Sequence, residues 1–113
     1  MVSRREERQE SARFRVMRLL ANNSKISTRG LADAVGISNG AAYYVLKSLV
    51  EKGFVKVGNF SNNPKKTQYV YLLTPKGIVE KGVLTRSFIK RKRLEFEALR
   101  VEINTLEDEI KSK

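Results

Sequence analysis

The sequence predicts a mainly α-helical fold with one β-hairpin, an α+β fold in the order helix, helix, helix, strand, strand, helix. Apolar residues recur at helical spacing in three segments before residue 53. The pattern then changes to the alternation typical of strands between residues 54 and 73, and helical spacing returns from residue 75 to residue 110. A chain of 113 residues predicts a single modest core.

The first helix is predicted from a capping box at residues 3–6. In such a box the Ser3 hydroxyl accepts an early backbone N–H, and Glu6 reaches back to the serine N–H. Ser11 is an alternative start. The polar residues 22–24 are predicted to end this helix.

Serine and glycine residues mark the next two helices. Ser27 or Thr28 caps a short second helix, and Gly36 ends it because glycine tolerates a positive φ angle. Ser38 caps a third helix that runs to about Lys52. Its predicted inward-facing residues are Ala42, Val45, Leu46, Leu49 and Val50.

Two strands and one long helix complete the prediction. Residues 54–60 and 68–73 are rich in branched and aromatic side chains, and the polar residues 61–66 between them have turn chemistry. Thr74 followed by Pro75 is a strong helix start, because proline suits the first helical position. This last helix is predicted to continue to Ile110.

Charge is the strongest compositional signal, since 23 basic residues face 12 acidic ones and leave a net charge of +11. The excess lies in residues 11–93, whose net charge is +14, whereas residues 94–113 carry −3. A polyanion would relieve the repulsion within such a body, so nucleic acid is the favoured partner. A basic protein without a polyanionic partner and an anionic membrane surface are the alternatives.

Composition argues against an enzyme and against bound cofactors or metals. The chain has no Cys and no His, and only three carboxylates lie in the basic body. No glycine-rich phosphate loop follows a strand. The longest apolar run, residues 69–73, is too short to span a bilayer, and residues 1–8 lack the apolar stretch of a secretory signal. A cytoplasmic location is therefore expected.

Residues 28–47 match the pattern of a helix-turn-helix. A small residue, Ala32, lies where the next helix must cross closely, and Gly36 lies four residues later at the turn. The apolar residues that would lock the two helices together are Leu31, Val35, Ile37, Ala42 and Val45. A plain αα-hairpin is the alternative interpretation.

The third helix is then predicted to be a recognition helix that enters a DNA groove. Asn pairs well with adenine, Lys reaches guanine or phosphate, and Tyr bonds phosphate or touches a thymine methyl. Gly40 would allow the backbone to approach DNA closely, and one of the two tyrosines could instead fill the core. The predicted DNA-contacting residues of the helices are Thr28, Arg29, Ser38, Asn39, Gly40, Tyr43, Tyr44 and Lys47.

The loop of the hairpin is the second predicted DNA contact. It is polar and basic, and its predicted contact residues are Asn62, Asn63, Lys65 and Lys66. Together with the helix-turn-helix, this loop predicts a winged helix-turn-helix, in which the wing reaches the minor groove or the flanking backbone. The alternative is a solvated turn.

The last helix carries an apolar seam of coiled-coil type, which predicts dimerisation. Its residues are Phe96, Leu99, Ile103, Leu106 and Ile110. Ile89 extends the a positions of the seam toward the start of the helix, but Lys92 interrupts the d positions. Packing within the same chain is the alternative. The basic residues before it (Arg86 and residues 90–93) either contact DNA backbone or form a solvated face. The predicted division is a DNA-binding domain at 1–77 and a dimerisation helix at 78–113.

Four segments resemble the MarR-type winged-helix regulators. They are residues 11–20, 31–38, 46–56 and 73–77, and the third and fourth contain the patterns L-x-x-L-x-x-K-G-x-V and L-T-P-x-G. More narrowly, the sequence is similar to small regulators associated with exopolysaccharide gene clusters. The resemblance implies a homodimeric transcription factor that binds double-stranded DNA at pseudo-palindromic operators.

The sequence departs from that family at two places. Much of the helical dimer domain that usually forms the phenolic-ligand pocket is missing, which puts a small-molecule effector in doubt. The family's wing Asp-x-Arg would fall near residues 65–67 and is absent, and lysine lacks the planar fork of arginine. A winged-helix module for structured RNA and a protein-interaction adaptor remain the alternative functions.

Overall fold

The computed structural model describes residues 4–63 and 66–112, with side chains described outside residues 59–69. Its order of elements confirms the prediction, and the first helix already includes Arg4, so the alternative start at Ser11 is wrong. The predicted cap Ser3 lies outside the described residues. The elements are α1 (Arg4–Asn22), α2 (Thr28–Val35), α3 (Asn39–Glu51), β1 (Val55–Asn63), β2 (Lys66–Leu73) and α4 (Pro75–Lys111). No helix in these described ranges is long and apolar enough to cross a membrane.

Three helices begin at hydroxyl caps, which satisfy backbone N–H groups that have no partner inside the helix. Ser27 caps α2, Ser38 caps α3 and Thr74 caps α4. Each oxygen accepts from the N–H three residues later, at 2.9 to 3.0 Å. Of the two predicted starts of α2, Ser27 is therefore the cap.

The turn between α2 and α3 depends on Gly36, whose φ of +79° lies in the left-handed region. Its N–H and that of Ile37 both donate to the Ala32 carbonyl, at 2.8 and 3.0 Å. A side chain at this φ would be strained, so glycine allows the tight reversal. Ala32 is only 1% exposed, as expected for the small residue of a helix-turn-helix.

The core lies between the three short helices, the base of the hairpin and the first half of α4. Its buried residues are Phe14, Val16, Met17, Leu20, Leu31, Val35, Leu46, Leu49, Val55 and Leu84. On α3 the prediction is wrong for Val50, which is 37% exposed. Val50 lies about 100° further around the helix than Leu49, so it falls outside the narrow buried face.

The hairpin is longer than predicted. Both strands continue into the polar segment, and the pairing runs from Val55 opposite Leu73 to Asn63 opposite Lys66, with an irregularity after Phe60. Backbone pairing needs no apolar side chains, so polar residues can extend a ladder beyond the core. The Tyr71 N–H also donates to the Ser24 carbonyl at 3.0 Å, which ties the hairpin to the loop after α1.

The start of α4 is bound to three consecutive carbonyl groups after α3. Lys76 Nζ donates to the Lys52 carbonyl at 2.9 Å, the Thr74 hydroxyl to that of Gly53 at 2.5 Å, and the Thr74 N–H to that of Phe54 at 3.0 Å. At Gly77 the helix passes so close that a Cβ would lie 1.9 Å from the Phe54 oxygen. Only glycine fits there.

Helix α4 extends far beyond the core. Its first half packs on α1, where the rings of Phe14 and Phe88 lie 4.9 Å apart. From Lys92 to Ser112 every residue is exposed, and the molecule measures 73 × 25 × 22 Å. The predicted division between residues 77 and 78 falls inside this continuous helix, and it stays a prediction.

We expect Gly77→Ala to lower the free energy of unfolding by about 1–3 kcal/mol, because a methyl group cannot overlap a backbone oxygen without displacing α4. Gly82→Ala is the matched control on the same helix. Its Cβ would meet Arg86 at 3.7 Å, an ordinary contact, and alanine favours a helix by roughly 0.5–1 kcal/mol. Denaturant titration followed by circular dichroism measures both. Equal stability of the two variants would contradict the close approach.

Candidate nucleic-acid interface

The exposed side of α3 carries the residues predicted to contact DNA. We call the set Asn39, Gly40, Tyr43, Tyr44 and Lys47 the reading face. All five are exposed, while Ala42, Leu46 and Leu49 on the other side are buried. The core thus holds α3 by one side and leaves the other side free for a partner. Ser38 is exposed as well, but its hydroxyl oxygen accepts the Ala41 N–H at 3.0 Å and is committed to capping.

The two tyrosines both lie outside the core. Tyr43 is 59% exposed and Tyr44 is 71% exposed, so neither fills the core as one alternative proposed. Their ring centroids are 6.3 Å apart at an interplanar angle of 70°, an edge-to-face pair. Aromatic pairs prefer this arrangement of the rings. The hydroxyl groups are available for phosphate or base contacts.

Gly40 has no structural requirement for glycine. A Cβ there would meet only the Ser38 oxygen, at 4.0 Å, and the backbone φ is not in the left-handed region. Glycine inside a helix destabilises it by roughly 0.5–1 kcal/mol relative to alanine. A bare backbone on the reading face therefore favours close approach by another molecule.

Two further predicted contacts, Thr28 and Arg29, lie in the first turn of α2. On α2, Arg29 is exposed and Thr28 is half-buried. Neither α2 nor α3 has an acidic residue in its first turn, so the positive ends of both helix dipoles are uncompensated.

The hairpin tip is the least described of the predicted contacts. Asn63 pairs with Lys66 beside the tip. Lys65 and the side chains of Asn62, Asn63 and Lys66 lie outside the described residues. The wing contacts stay predictions.

Tertiary packing adds basic residues beside the reading face that sequence reasoning missed. Arg5, Arg8 and Lys52 border a groove of about 640 Å³ between α1 and α3, and Tyr44 lines the same groove. Arg13 lines it too, and its buried Nε has no hydrogen-bond partner among the described residues. These arginines are far from α3 in the sequence. The only signal in the sequence for a basic surface beside α3 was the large number of arginines in α1.

The predicted dimerisation seam is fully accessible within one chain. We call its five residues the apolar stripe, and their exposed fractions range from 51% to 77%: Phe96, Leu99, Ile103, Leu106 and Ile110. Ile89 is 45% exposed. The alternative of packing within the same chain is wrong for the stripe, because no described residue covers it.

The basic residues before the stripe fall into two groups. Arg91 and Lys92 lie over the Phe88 ring, at 5.8 and 5.2 Å, and Lys92 also pairs with Glu95 at 3.1 Å. Arg86, Lys90 and Arg93 are exposed, with no partner among the contacts of the described chain. Both interpretations of this run, DNA backbone contact and solvated face, stay open for the second group.

Comparison with known proteins identifies the fold. A sequence profile of the family described as winged helix-turn-helix DNA-binding matches residues 10–56. The fold is a winged helix-turn-helix. Curated proteins compared by sequence gave no match.

The fold is similar to that of several solved structures, two of which are described as MarR-type regulators. A MarR/EmrR family regulator from Acinetobacter sp. ADP1 superposes with a TM-score of 0.60 at 22% identity, covering 89% of this chain and 75% of that one. The adhesin competence repressor of Streptococcus pyogenes gives 0.63 at 19% identity, covering 79% and 64%. A MarR regulator from Methanosarcina mazei Go1 gives 0.62 at 20%, covering 76% and 60%. The chain thus spans less than two thirds of the last two.

These similarities confirm the predicted fold class, with α3 as the second helix of the helix-turn-helix and the β1–β2 hairpin as the wing. They extend past the profile into α4, since 89% of the chain is covered in the first comparison. The narrower similarity to regulators of exopolysaccharide clusters stays a prediction from the sequence.

We expect Gly40→Ala to weaken binding to duplex DNA at least tenfold, although it retains the fold and raises the free energy of unfolding by roughly 0.5–1 kcal/mol. The added methyl group meets only the Ser38 oxygen, at 4.0 Å, so a loss of affinity reports a close approach of DNA to the α3 backbone. Gly82→Ala, the same change away from the reading face, is the control. Fluorescence anisotropy with a duplex selected from a random pool measures the affinities. Wild-type affinity in Gly40→Ala would show that DNA does not approach this backbone.

Proposed function

We propose that this protein is a sequence-specific regulator of transcription that binds double-stranded DNA as a homodimer at a pseudo-palindromic operator. The observation that carries the proposal is the reading face of α3. Four exposed side chains with the chemistry of base and phosphate contacts, and one exposed glycine, lie on one side of a helix whose other side is buried. None of the five is needed by the core.

The reading face divides naturally between base and phosphate contacts. Asn39, at the first position of α3, presents an amide that pairs with adenine, and Lys47 presents an ammonium for guanine or phosphate. About 12 Å separate the two residues along the helix axis, since each residue adds about 1.5 Å. That length suits a few successive base pairs in a major groove.

Charge supports DNA as the partner. Residues 11–93 carry a net charge of +14, and the described part of the chain contains only the acidic side chains of Asp33, Glu51 and Glu80 within this body. Binding to phosphates would release counterions and make affinity fall with salt. RNA would satisfy the same charge, so RNA binding is an outcome that the experiment must separate.

The homodimer is supported by the apolar stripe. Exposed large apolar side chains in one row are unusual on a monomer. Burial of each contributes roughly 1.5–3 kcal/mol, which favours pairing of two copies. Two recognition helices about 34 Å apart would then face successive major grooves of a palindrome.

Regulation of polysaccharide biosynthesis genes is supported only by the sequence resemblance.

Selection of binding sites from a random duplex pool tests the function. We expect the wild type to select one pseudo-palindromic site, with log K falling by about 0.9 per phosphate contact for each unit of log salt. Asn39→Ala should relax the preference at one position per half-site, at roughly 1–3 kcal/mol. Lys65→Ala with Lys66→Ala should weaken all sequences alike and reduce the salt slope.

Three outcomes would contradict this proposal. Selection of no site, or tighter binding to structured RNA than to the selected duplex, would exclude a sequence-specific DNA regulator, and a flat salt dependence would exclude the electrostatic account of its affinity. Uniform weakening by Asn39→Ala would instead contradict only the assignment of the reading face.

We expect Leu99→Asp with Leu106→Asp to produce a folded monomer whose operator affinity is at least a hundredfold lower. Charged residues on the stripe oppose its burial, and dimerisation sets the half-site spacing. Leu94→Asp with Val101→Asp is a matched control, because these exposed residues are also seven apart but lie on the opposite side of α4. Sedimentation equilibrium at micromolar concentration measures the state. A wild-type monomer would refute the homodimer, and equal loss in the control would refute the stripe as its seam.

A further inference from the structure

The groove between α1 and α3, which we call the α1–α3 groove, concentrates positive charge that its own lining does not neutralise. Four of its side chains are cationic, namely Arg5, Arg8, Arg13 and Lys52. None of the described residues that line it is acidic. The groove on the other side of α1, by contrast, includes the carboxylates of Glu7 and Glu95. An anion in the α1–α3 groove would relieve the repulsion among its cations.

Arg13 gives an independent sign that this groove takes a ligand. Its side chain is half-buried, and its Nε is buried without a hydrogen-bond partner among the described residues. A buried donor without a partner destabilises a folded protein, and nearly all buried donors in native proteins are paired. A hydrogen-bond acceptor that arrives with a bound molecule would account for this donor.

Size and access indicate which kind of anion fits. The groove has a volume of about 640 Å³, far more than a single phosphate or carboxylate group occupies. Arg5, Arg8 and Tyr44 are exposed, so the groove is open to solvent. The apolar side chains of Ile37 and Val45 also line it. An extended molecule that carries both anionic and less polar parts, such as a sugar-phosphate strand, fits this lining better than a small ion.

The groove adjoins the reading face on α3. Tyr44 belongs to both surfaces. Ser48 lines the groove and directly follows Lys47, so it lies about 100° further around the helix. Ala41 has the same relation to Gly40. The α1–α3 groove therefore occupies the flank of α3 next to the reading face.

A helix that reads bases is flanked by DNA backbone. The major groove is about 12 Å wide, and a helix with its side chains measures about 10–12 Å across. The walls of the major groove are the two phosphate backbones, so each flank of an inserted helix faces one of them. On the flank toward α1, that backbone meets the α1–α3 groove.

We propose that the α1–α3 groove is a phosphate clamp, which holds the DNA backbone beside the half-site that the reading face contacts. The proposal rests on the proposed function and adds α1 to the DNA-binding surface. Arg5 and Arg8 face the strand from α1, and Lys52 faces it from the end of α3. Arginine pairs two donors with one phosphate, and Arg13 finds an acceptor for its Nε among the backbone oxygens.

The clamp contributes affinity without sequence preference, because phosphate contacts fix the position of a protein on the duplex but carry no base information. The clamp variant is Arg5→Gln with Arg8→Gln. We expect it to bind a duplex selected by the wild type at least tenfold more weakly, with the preferred sequence unchanged. The slope of log K against log salt should become shallower by about 1.8, since each lost phosphate contact removes about 0.9.

Arg15→Gln with Arg18→Gln is the matched control. It removes the same charge from the same helix, at two exposed residues that do not line the α1–α3 groove. We expect its affinity to stay within about threefold of the wild type, which is less than 1 kcal/mol. Fluorescence anisotropy over a range of salt concentrations measures both variants.

Neutral backbone linkages locate the contact on the DNA. Each duplex of a series carries one methylphosphonate linkage, which removes the charge of a single phosphate from the selected site. We expect the wild type and the control to be weakened by a neutral linkage beside each half-site. The clamp variant should be insensitive to that same linkage, because it has already lost the contact.

Arg13→Met separates a role in binding from a role in the fold. Methionine keeps much of the length of the side chain and removes the unpaired donor, so we expect the midpoint of thermal unfolding to stay equal or rise. Affinity for the selected duplex should fall at least fivefold. A lower midpoint together with unchanged affinity would assign Arg13 to the fold and remove it from the clamp.

Three results would overturn the clamp. They are equal affinities of the clamp and control variants, a clamp variant that is still sensitive to every linkage that matters to the wild type, and a changed sequence preference. Circular dichroism and sedimentation equilibrium accompany the binding data, and a loss of helix or of the wild-type oligomeric state in the clamp variant would also overturn it by assigning these arginines to the fold. Failure of the wild type to select any duplex would instead overturn the proposed function.

Discussion

The close contact between the start of α4 and the end of α3 determines how the reading face and the apolar stripe are oriented relative to each other. Three consecutive carbonyls, from Lys52 to Phe54, are bound by Thr74 and Lys76, and Gly77 lies against the last of them. The backbone of α4 therefore has almost no freedom relative to the C-terminal end of α3. Since α3 carries the reading face and α4 the apolar stripe, a rigid joint connects the two.

In the homodimer proposed above, that joint would fix the spacing of the two reading faces as well as their orientation. A few degrees of rotation at Gly77 would be amplified along α4, whose tip lies far from the core in a molecule 73 Å long. The hairpin shares the joint, since its first residue follows Phe54 and its last precedes Thr74. Helix α3, the hairpin and α4 are thus oriented by one small set of hydrogen bonds to backbone carbonyls.

Electrostatics divide the chain into parts with different partners. The basic body repels other copies and attracts polyanions, whereas the end of α4 is acidic and carries exposed apolar residues. The chain separates these charges along one long axis and so avoids internal neutralisation. Ion pairs on α4 itself are local: Lys92 pairs with Glu95, and Arg100 with Glu97, each three residues apart. Exposed pairs of this kind contribute little stability, so they do not by themselves account for the extension of α4 beyond the core.

The amino-acid sequence by itself determined the order of the elements, the hydroxyl caps of α3 and α4, and the glycine turn of the helix-turn-helix. These features depend on residues within four positions of each other, and that range is visible in a sequence. The same locality let the reading face be predicted, because the buried side of α3 defines its exposed side. Only the tertiary structure decided that Val50 lies outside the core, that Gly77 meets Phe54, and that no part of the described chain covers the stripe. It also brought the arginines of α1 beside Arg91 and Glu95, more than 75 positions away. Contacts of that separation depend on how helices cross, and the crossing is set by the packing of the whole core rather than by any one segment.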